Sequence, residues 1–296
     1  MNSGFATFHP FVNLVYFIAV LLFGMWFMHP DFQAIALVSA IVYAIVLRGR
    51  AAVKFQLIYM LPLLLVMALI NPAFNHAGVT ILFYLKNGNP ITLESIQYGL
   101  ASACMFVTVI IWFSCYNAVM TSDKFIYLFG KIIPALSLIF SMVLRFVPRY
   151  QNQLKRISFA QRSIGQDMSQ GNLLYRAKNG LTILSIMTTW ALENAIETAD
   201  SMKSRGYGLP GRTSYSLYRF DNRDKGCLII MFILVAVVLS GQVKGENTMR
   251  FFPSIKVAEV TPFSILVYIA YSGLCMLPVI HYILEGIKWR SITSRM

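Results

Sequence analysis

Six apolar runs on the length scale of a bilayer crossing constrain this chain more than any other feature, at residues 11–28, 32–47, 55–70, 96–120, 227–241 and 262–284. Backbone N–H and C=O groups in hydrocarbon have no water to bond, so a spanning segment must satisfy them internally, and an α-helix of about 20 residues does so. The runs at 32–47 and 227–241 are short, which makes them tilted partners of their neighbours or parts of longer helices. Of the 296 residues, 57% are hydrophobic and 12% charged, against about 25% charged in soluble domains. The expected fold is an all-α integral membrane protein with six transmembrane helices.

A formal net charge of +13 can mark a nucleic-acid binder, but its placement argues against that partner. Fifteen Lys and Arg residues lie from Lys124 to Lys225; Arg48, Arg50 and Lys54 separate the second and third runs; Lys288, Arg290 and Arg295 follow the sixth. In a six-span layout, 21 of the 25 basic residues therefore share one side, leaving Lys86, Lys244, Arg250 and Lys256 on the other. The positive-inside rule puts the larger set in the cytoplasm. A multi-pass protein of the cell membrane is expected, with both termini cytoplasmic and contacts to the lipid bilayer but not to nucleic acid. Its parts would be a four-span membrane domain (1–120), a cytoplasmic platform of helices between spans four and five (121–226) and a two-span hairpin (227–296). Residues 1–10 have no basic n-region of a cleavable signal.

The outer loop, 72–93, contains the β-prone stretch 79–85 and an Asn87-Gly88 turn pair before Ile91-Thr92, so a short hairpin is expected there. Cys104, Cys115, Cys227 and Cys275 lie in or beside apolar runs without a CxxC pair and read as small core residues, with no disulfide, metal or cofactor. His9-Pro10 and His29-Pro30 stand at span ends, where capping is the expected role. The runs as drawn hold His281 as their ionisable residue, and no HExxH or GxSxG motif occurs. An intramembrane enzyme would need ionisable groups at that depth, so catalysis is not expected.

The platform reads as helices. Asp123 is placed to cap a helix over 125–131, Pro134 starts or kinks the next, and 135–146 is apolar enough to lie along the membrane before Pro148 bends the path. Beyond it, Tyr150, Leu154, Ile157 and Gln161 form a helical stripe that ends near Gly165. A second amphipathic helix is expected over 181–204. Its apolar side would be Leu181, Leu184, Thr188, Leu192, Ala195, Ala199 and Met202, packed on the first helix or on the membrane-facing segment. Glu193, Glu197 and Asp200 would lie opposite. Gly206, Gly208 and Pro210 terminate it. The stretch 206–213 nearly spells a phosphate-binding loop, but Arg212 replaces its Lys, Pro210 removes an N–H donor and a helix precedes it.

Over residues 9–215 the chain resembles the transmembrane T component of energy-coupling factor transporters, a family that includes the membrane subunit of cobalt importers. The resemblance rests on Ile91-Thr92-Leu93-Glu94, Leu144-Arg145-Phe146-Val147-Pro148, Ala160-Gln161-Arg162 and the run from Ala199 to Gly208. It implies a non-catalytic subunit between two ABC-type ATPase subunits and a small substrate-binding membrane subunit, importing a vitamin such as thiamine or a transition metal. In the family, two Ala-Arg-Gly turns end the coupling helices and dock in ATPase grooves. Here the second stands as Ser204-Arg205-Gly206, so Arg205 carries over. The first stands as Ser163-Ile164-Gly165, with Ile164 at the arginine position and Arg162 two residues away, about 200° round a helix. Arg162, Ser163, Gly165, Ser204, Arg205 and Gly206 are thus the candidate coupling residues. Without the resemblance, Arg205 reads as an ordinary C-cap among positive-inside charges, and the basic platform reads alternatively as a scaffold on anionic lipid headgroups.

Overall fold

A computed structural model describes residues 4–84, 88–130, 133–210, 218–245, 249–257 and 261–293. Its helices are α1 (Pro10–Trp26), α2 (Pro30–Arg48), α3 (Arg50–Phe55), α4 (Leu61–Phe74), α5 (Leu93–Val119), α6 (Ser122–Gly130), α7 (Pro134–Ser163), α8 (Leu173–Ser204), α9 (Asn222–Val243) and α10 (Pro262–Thr293). A π-helical turn, Gln56–Met60, carries α3 into α4 without a break. The strands are β1 (Ile81–Tyr84), β2 (Pro90–Thr92), β3 (Met249–Arg250) and β4 (Lys256–Val257). Two compact units result: Met1–Phe125 with Tyr218–Met296, and Ile126–Leu217.

The protein is an all-α membrane protein. Among the described residues, five helices are long and apolar enough to span: α2, the continuous path Arg50–Phe74, α5, α9 and the stretch Pro262–Lys288 of α10; α1, with 17 residues, is a shorter apolar helix. Most expected boundaries move outward, because polar residues extend the helices beyond the apolar runs. The second and fifth runs, short in the sequence, become helices of 19 and 22 residues. Pro10 and Pro30 open α1 and α2, and the Nδ1 atoms of His9 and His29 accept from Phe11 N–H at 3.2 Å and Asp31 N–H at 3.3 Å. The capping role expected of both histidines is what these contacts provide.

The longer helices also contain carboxylates that the runs as drawn left out. Glu94, in the first turn of α5, accepts from Thr80 N–H at 3.2 Å and from Thr80 Oγ1 at 2.9 Å. Asp224, in the first turn of α9, accepts from His9 N–H and Asp221 N–H, both at 3.0 Å. Both are buried. A carboxylate at a helix N-terminus meets unpaired N–H groups and the positive end of the dipole, and here each also ties a loop to its helix.

The core of the first unit is aromatic. Trp112 of α5 is fully buried against Tyr16 and Phe17 of α1 and Tyr43 of α2, with centroids 6.0–6.3 Å apart. Tyr16 donates its hydroxyl to the Cys275 carbonyl of α10 at 3.0 Å. Cys115, Cys227 and Cys275 are buried and Cys104 is half-buried, all four as free thiols. The expected outer hairpin forms as antiparallel β1 and β2, with Gly88 at φ +78° in the connection; Asn87 lies outside the described residues. A second ladder, β3 with β4, was not anticipated.

Two residues around α6 depart from expectation. Asp123 is not the cap: the helix begins at Ser122, the Thr121 carbonyl accepts from Phe125 N–H at 3.1 Å, and Asp123 lies in the first turn. Lys131 lies outside the described residues. Lys124, the first of the fifteen basic residues counted above, is only 5% exposed. Its ammonium donates to the carbonyls of Ala6 at 2.6 Å and Val119 at 3.1 Å. With the Asn13 amide turned to face it, the ammonium gains a third acceptor at 2.9 Å. Burial pushes its pKa down to about 8.

The second unit is built on an antiparallel helical hairpin, α7 and α8. Pro148, where the path is expected to bend, lies inside α7 on an exposed face; the helix runs unbroken for 30 residues, because the missing N–H costs a hydrogen bond but does not end it. Its inner stripe is Met142, Phe146, Tyr150, Gln153, Ile157 and Gln161; Leu154, expected in that stripe, is exposed. The facing stripe on α8 is Asn179, Ile183, Met187, Trp190, Asn194, Thr198 and Met202. Tyr150 meets Trp190 edge-on at 5.3 Å. Of the row expected to pack, Met202 lies on this stripe, but Leu181, Leu184 and Leu192 face outward, Leu192 being 63% exposed. An apolar wheel cannot tell a face that meets its own hairpin partner from one left for another apolar surface. Burial of Ile183 predicts that Ile183→Ala destabilises the hairpin by about 2–5 kcal/mol. Leu192→Ala should stay within about 0.5 kcal/mol. Amide hydrogen exchange along α7 and α8 in detergent measures both, and equal losses would assign the wrong face.

Candidate functional site

Both hairpin helices end in the same backbone device. At the end of α7, Gln166 N–H donates to the Gln161 carbonyl at 2.9 Å and Gly165 N–H to the Arg162 carbonyl at 3.1 Å. At the end of α8, Tyr207 N–H donates to the Met202 carbonyl at 3.1 Å and Gly206 N–H to the Lys203 carbonyl at 3.0 Å. These paired bonds make a Schellman motif, which needs a left-handed residue just past the helix. Gly165 at φ +82° and Gly206 at φ +81° supply it. A side chain at either place would meet the steric cost of that conformation.

This common geometry sets the two turns in register. Arg162 corresponds to Lys203, Ser163 to Ser204, Ile164 to Arg205 and Gly165 to Gly206. Ile164 (φ −98°, ψ 15°) and Arg205 (φ −87°, ψ 9°) adopt nearly the same conformation, and both project from the turn, Ile164 being 66% exposed. The two serines turn inward on their own helices: Ser163 Oγ donates to the Phe159 carbonyl at 3.1 Å and Ser204 Oγ to the Ser201 carbonyl at 2.9 Å. Each is small enough to leave the turn open.

Arg162 makes a local ion pair. Its Nε lies 3.4 Å from Asp167 Oδ2 in the connection between the helices. Asp167 also accepts from Ser169 N–H at 2.9 Å and Ser169 Oγ at 2.8 Å. Those bonds, followed by the Arg162 guanidinium, hold its carboxyl below the usual carboxylate range. The first turn therefore presents an isoleucine and an internally paired arginine, while the second presents Arg205.

The structure does not bring the turns together. Because α7 and α8 are antiparallel, the first turn lies beside the start of α8 and the second at its far end. A helix of 32 residues is about 48 Å long at 1.5 Å per residue, too far for both turns to meet one small ligand. Among the described residues no three His, Cys, Asp or Glu side chains gather as a metal site. In the 206–213 stretch, Gly211, Arg212 and Thr213 lie outside the described residues.

The family model described as "Cobalt transport protein" (CbiQ) matches residues 8–215, a span that holds both turns and most of the first unit. The chain belongs to the CbiQ cobalt transport protein family. Relatives of this chain carry the name energy-coupling factor transporter transmembrane protein EcfT. That of Lactobacillus helveticus is 36% identical over 113 residues, 38% of this chain and 41% of the relative. That of Staphylococcus aureus is 35% identical over 113 residues, 38% of this chain and 42% of the relative. That of Lactococcus lactis subsp. cremoris is 34% identical over 105 residues, 35% and 39% respectively. The chain thus spans about two fifths of the length of the curated relatives it matches. The resemblance to energy-coupling factor T components holds.

Sequence reading missed the Arg162–Asp167 pair, although an Asp five residues after an Arg, across a glycine turn, was there to be noticed. In this CbiQ-family hairpin the glycines set the turn geometry. Gly165→Ala and Gly206→Ala should each cost about 1–2 kcal/mol and fray the last turn of α7 or α8 only. Hydrogen exchange at 161–166 and 202–207 is the measurement; protection unchanged in both variants would contradict the left-handed assignment.

Proposed function

We propose that this chain is the non-catalytic coupling subunit of an ATP-driven importer of the energy-coupling factor type. Two ABC-type ATPase subunits would engage the turns at 163–165 and 204–206, and their movement would pass along α7 and α8 to a small substrate-binding membrane subunit. The observation that carries this reading is the pair of matching turns at opposite ends of one helical hairpin, spaced for two partners. The outward row of Leu181, Leu184 and Leu192 supports the other half of the reading, since a membrane-embedded subunit would cover such a surface. ATP hydrolysis belongs to the partners, and the cargo would be a vitamin or a transition metal held by the substrate-binding subunit.

Arg205 is the test residue. If it meets a carboxylate in an ATPase groove, Arg205→Glu should abolish complex assembly and transport while leaving membrane insertion intact. Removing one partner of a buried charge pair at an interface typically costs about 2–5 kcal/mol. Arg205→Lys should be partly defective, because an ammonium does not reproduce the planar fork. Copurification of ATPase subunits with each variant is the readout. Normal assembly of Arg205→Glu would favour the scaffold on anionic lipid instead.

The orientation proposed from the charge asymmetry puts both termini and the α7–α8 hairpin in the cytoplasm. In a cysteine-free background, Asn87→Cys and Asn247→Cys should react with an impermeant thiol reagent added to intact cells, and Asn172→Cys should not. External labelling at position 172 would overturn the orientation and the coupling role with it.

A further inference from the structure

The C-terminal end of α8 borders an open groove of about 310 Å³ between α7 and α8. Arg145, Arg149 and Arg205 all line it, with Glu197 as its one acidic residue. Arg145 and Arg149 stand one turn apart on α7, and Arg149 stacks over Trp190 at 5.7 Å. Among the described residues no ion pair joins Glu197 to any of the three arginines; the pairs found are His29–Asp31, Arg162–Asp167 and Arg223–Glu285. Three guanidinium groups around one concavity repel each other, and one carboxylate offsets only part of that charge.

A second observation points to a ligand. Asn194 lines the same groove, is 5% exposed, and its Oδ1 has no hydrogen-bond partner. A buried acceptor left unpaired carries a desolvation cost that a donor arriving from outside would relieve. The groove is far larger than the roughly 10–15 Å³ that one water needs, so a single small anion would not fill it. Its apolar surface comes from Met142, Phe146 and Met202, which suits the methylene stem of a side chain.

We propose that Arg145 and Arg149 dock together with Arg205: the groove receives an acidic side chain of the ATPase subunit that meets the second turn. A glutamate fits the chemistry, its carboxylate shared among the arginines, its stem on Met142 and Phe146, and a neighbouring backbone N–H donating to Asn194 Oδ1. The second docking site is then formed by both helices, and the proposal rests on the coupling reading above. A lipid phosphate has similar oxygen chemistry and is an outcome of the test.

The test uses the full chain in nanodiscs and the purified ATPase pair that copurifies with it. In neutral phosphatidylcholine discs, Arg145→Gln should weaken ATPase binding about tenfold or more and Arg145→Lys less, with the melting temperature of the free chain unchanged. Arg149→Gln should follow, but its contact with Trp190 makes Arg145 the cleaner probe. Because one carboxylate is shared, Arg145→Gln with Arg205→Gln should lose less than the product of the two single effects. If Arg205→Gln weakens binding and Arg145→Gln does not, the groove proposal is overturned and the coupling reading stands. If Arg205→Gln has no effect, both fall. A difference between wild type and Arg145→Gln seen only in discs containing phosphatidylglycerol would assign the groove to lipid phosphate and overturn the proposal.

Discussion

Every polar backbone group that enters hydrocarbon must find its partner within the protein, and the rest of this structure follows from that constraint. It makes each crossing a helix and moves the difficulty to the helix ends, where four N–H and four C=O groups lack intrahelical partners. Several polar side chains of the first unit stand at those ends. His9 and His29 accept at the starts of α1 and α2, Glu94 and Asp224 at the starts of α5 and α9, and Lys124 donates to the Val119 carbonyl at the end of α5. Each also reaches a second segment or closes its own turn. Glu94 holds the outer hairpin through Thr80, Asp224 holds the chain before α1 through His9 N–H, and Lys124 holds the same N-terminal region through Ala6. Local hydrogen-bond accounting thus becomes the tertiary tie between loops and helices.

The same constraint acts on the hairpin of α7 and α8. Helix ends in contact with water can be closed by the chain's own backbone, and two glycines at φ near +80° close these two in the same way. The turns are equal in shape and unlike in chemistry, Ile164 occupying the place that Arg205 holds in the other. One site offers an apolar residue with its nearby arginine paired to Asp167; the other offers Arg205 beside a groove with two more arginines. Under the coupling reading, the surfaces that meet them need not be alike, and a long antiparallel pair of helices suits the transfer of displacement from one end to the other.

The interior of that hairpin mixes polar and apolar groups. Asn179 and Asn194 are buried beside Ile183, Met187 and Trp190, while leucines on α8 face outward. Asn179 donates to the Asp167 carbonyl at 3.1 Å, fastening the connection between the helices to α8. A helix that turns part of its apolar surface away from its nearest neighbour has that surface available for another contact.

Much of the architecture could be read from the sequence because the physics behind it is local. Apolar runs announce helices in a bilayer, histidine before proline announces a capped start, and glycine after a polar helical stretch announces its end. The six runs, the His9 and His29 caps, the outer hairpin and the two glycine turns are local in this sense. What was misread depended on neighbours. The row of Leu181, Leu184 and Leu192 is apolar by composition, but which face of α8 is buried was decided by the α7 stripe from Met142 to Gln161. Lys124 counts in the sequence as one more basic residue, and only the fold closes the carbonyls of Val119 and the distant Ala6 around it. By itself the sequence determined that this chain lies in a membrane as helices and that glycine turns close the two helices of the platform. The tertiary structure alone decided which faces meet, which charges are enclosed and that three arginines from two helices share one groove, because each of those depends on residues the chain brings together only by folding.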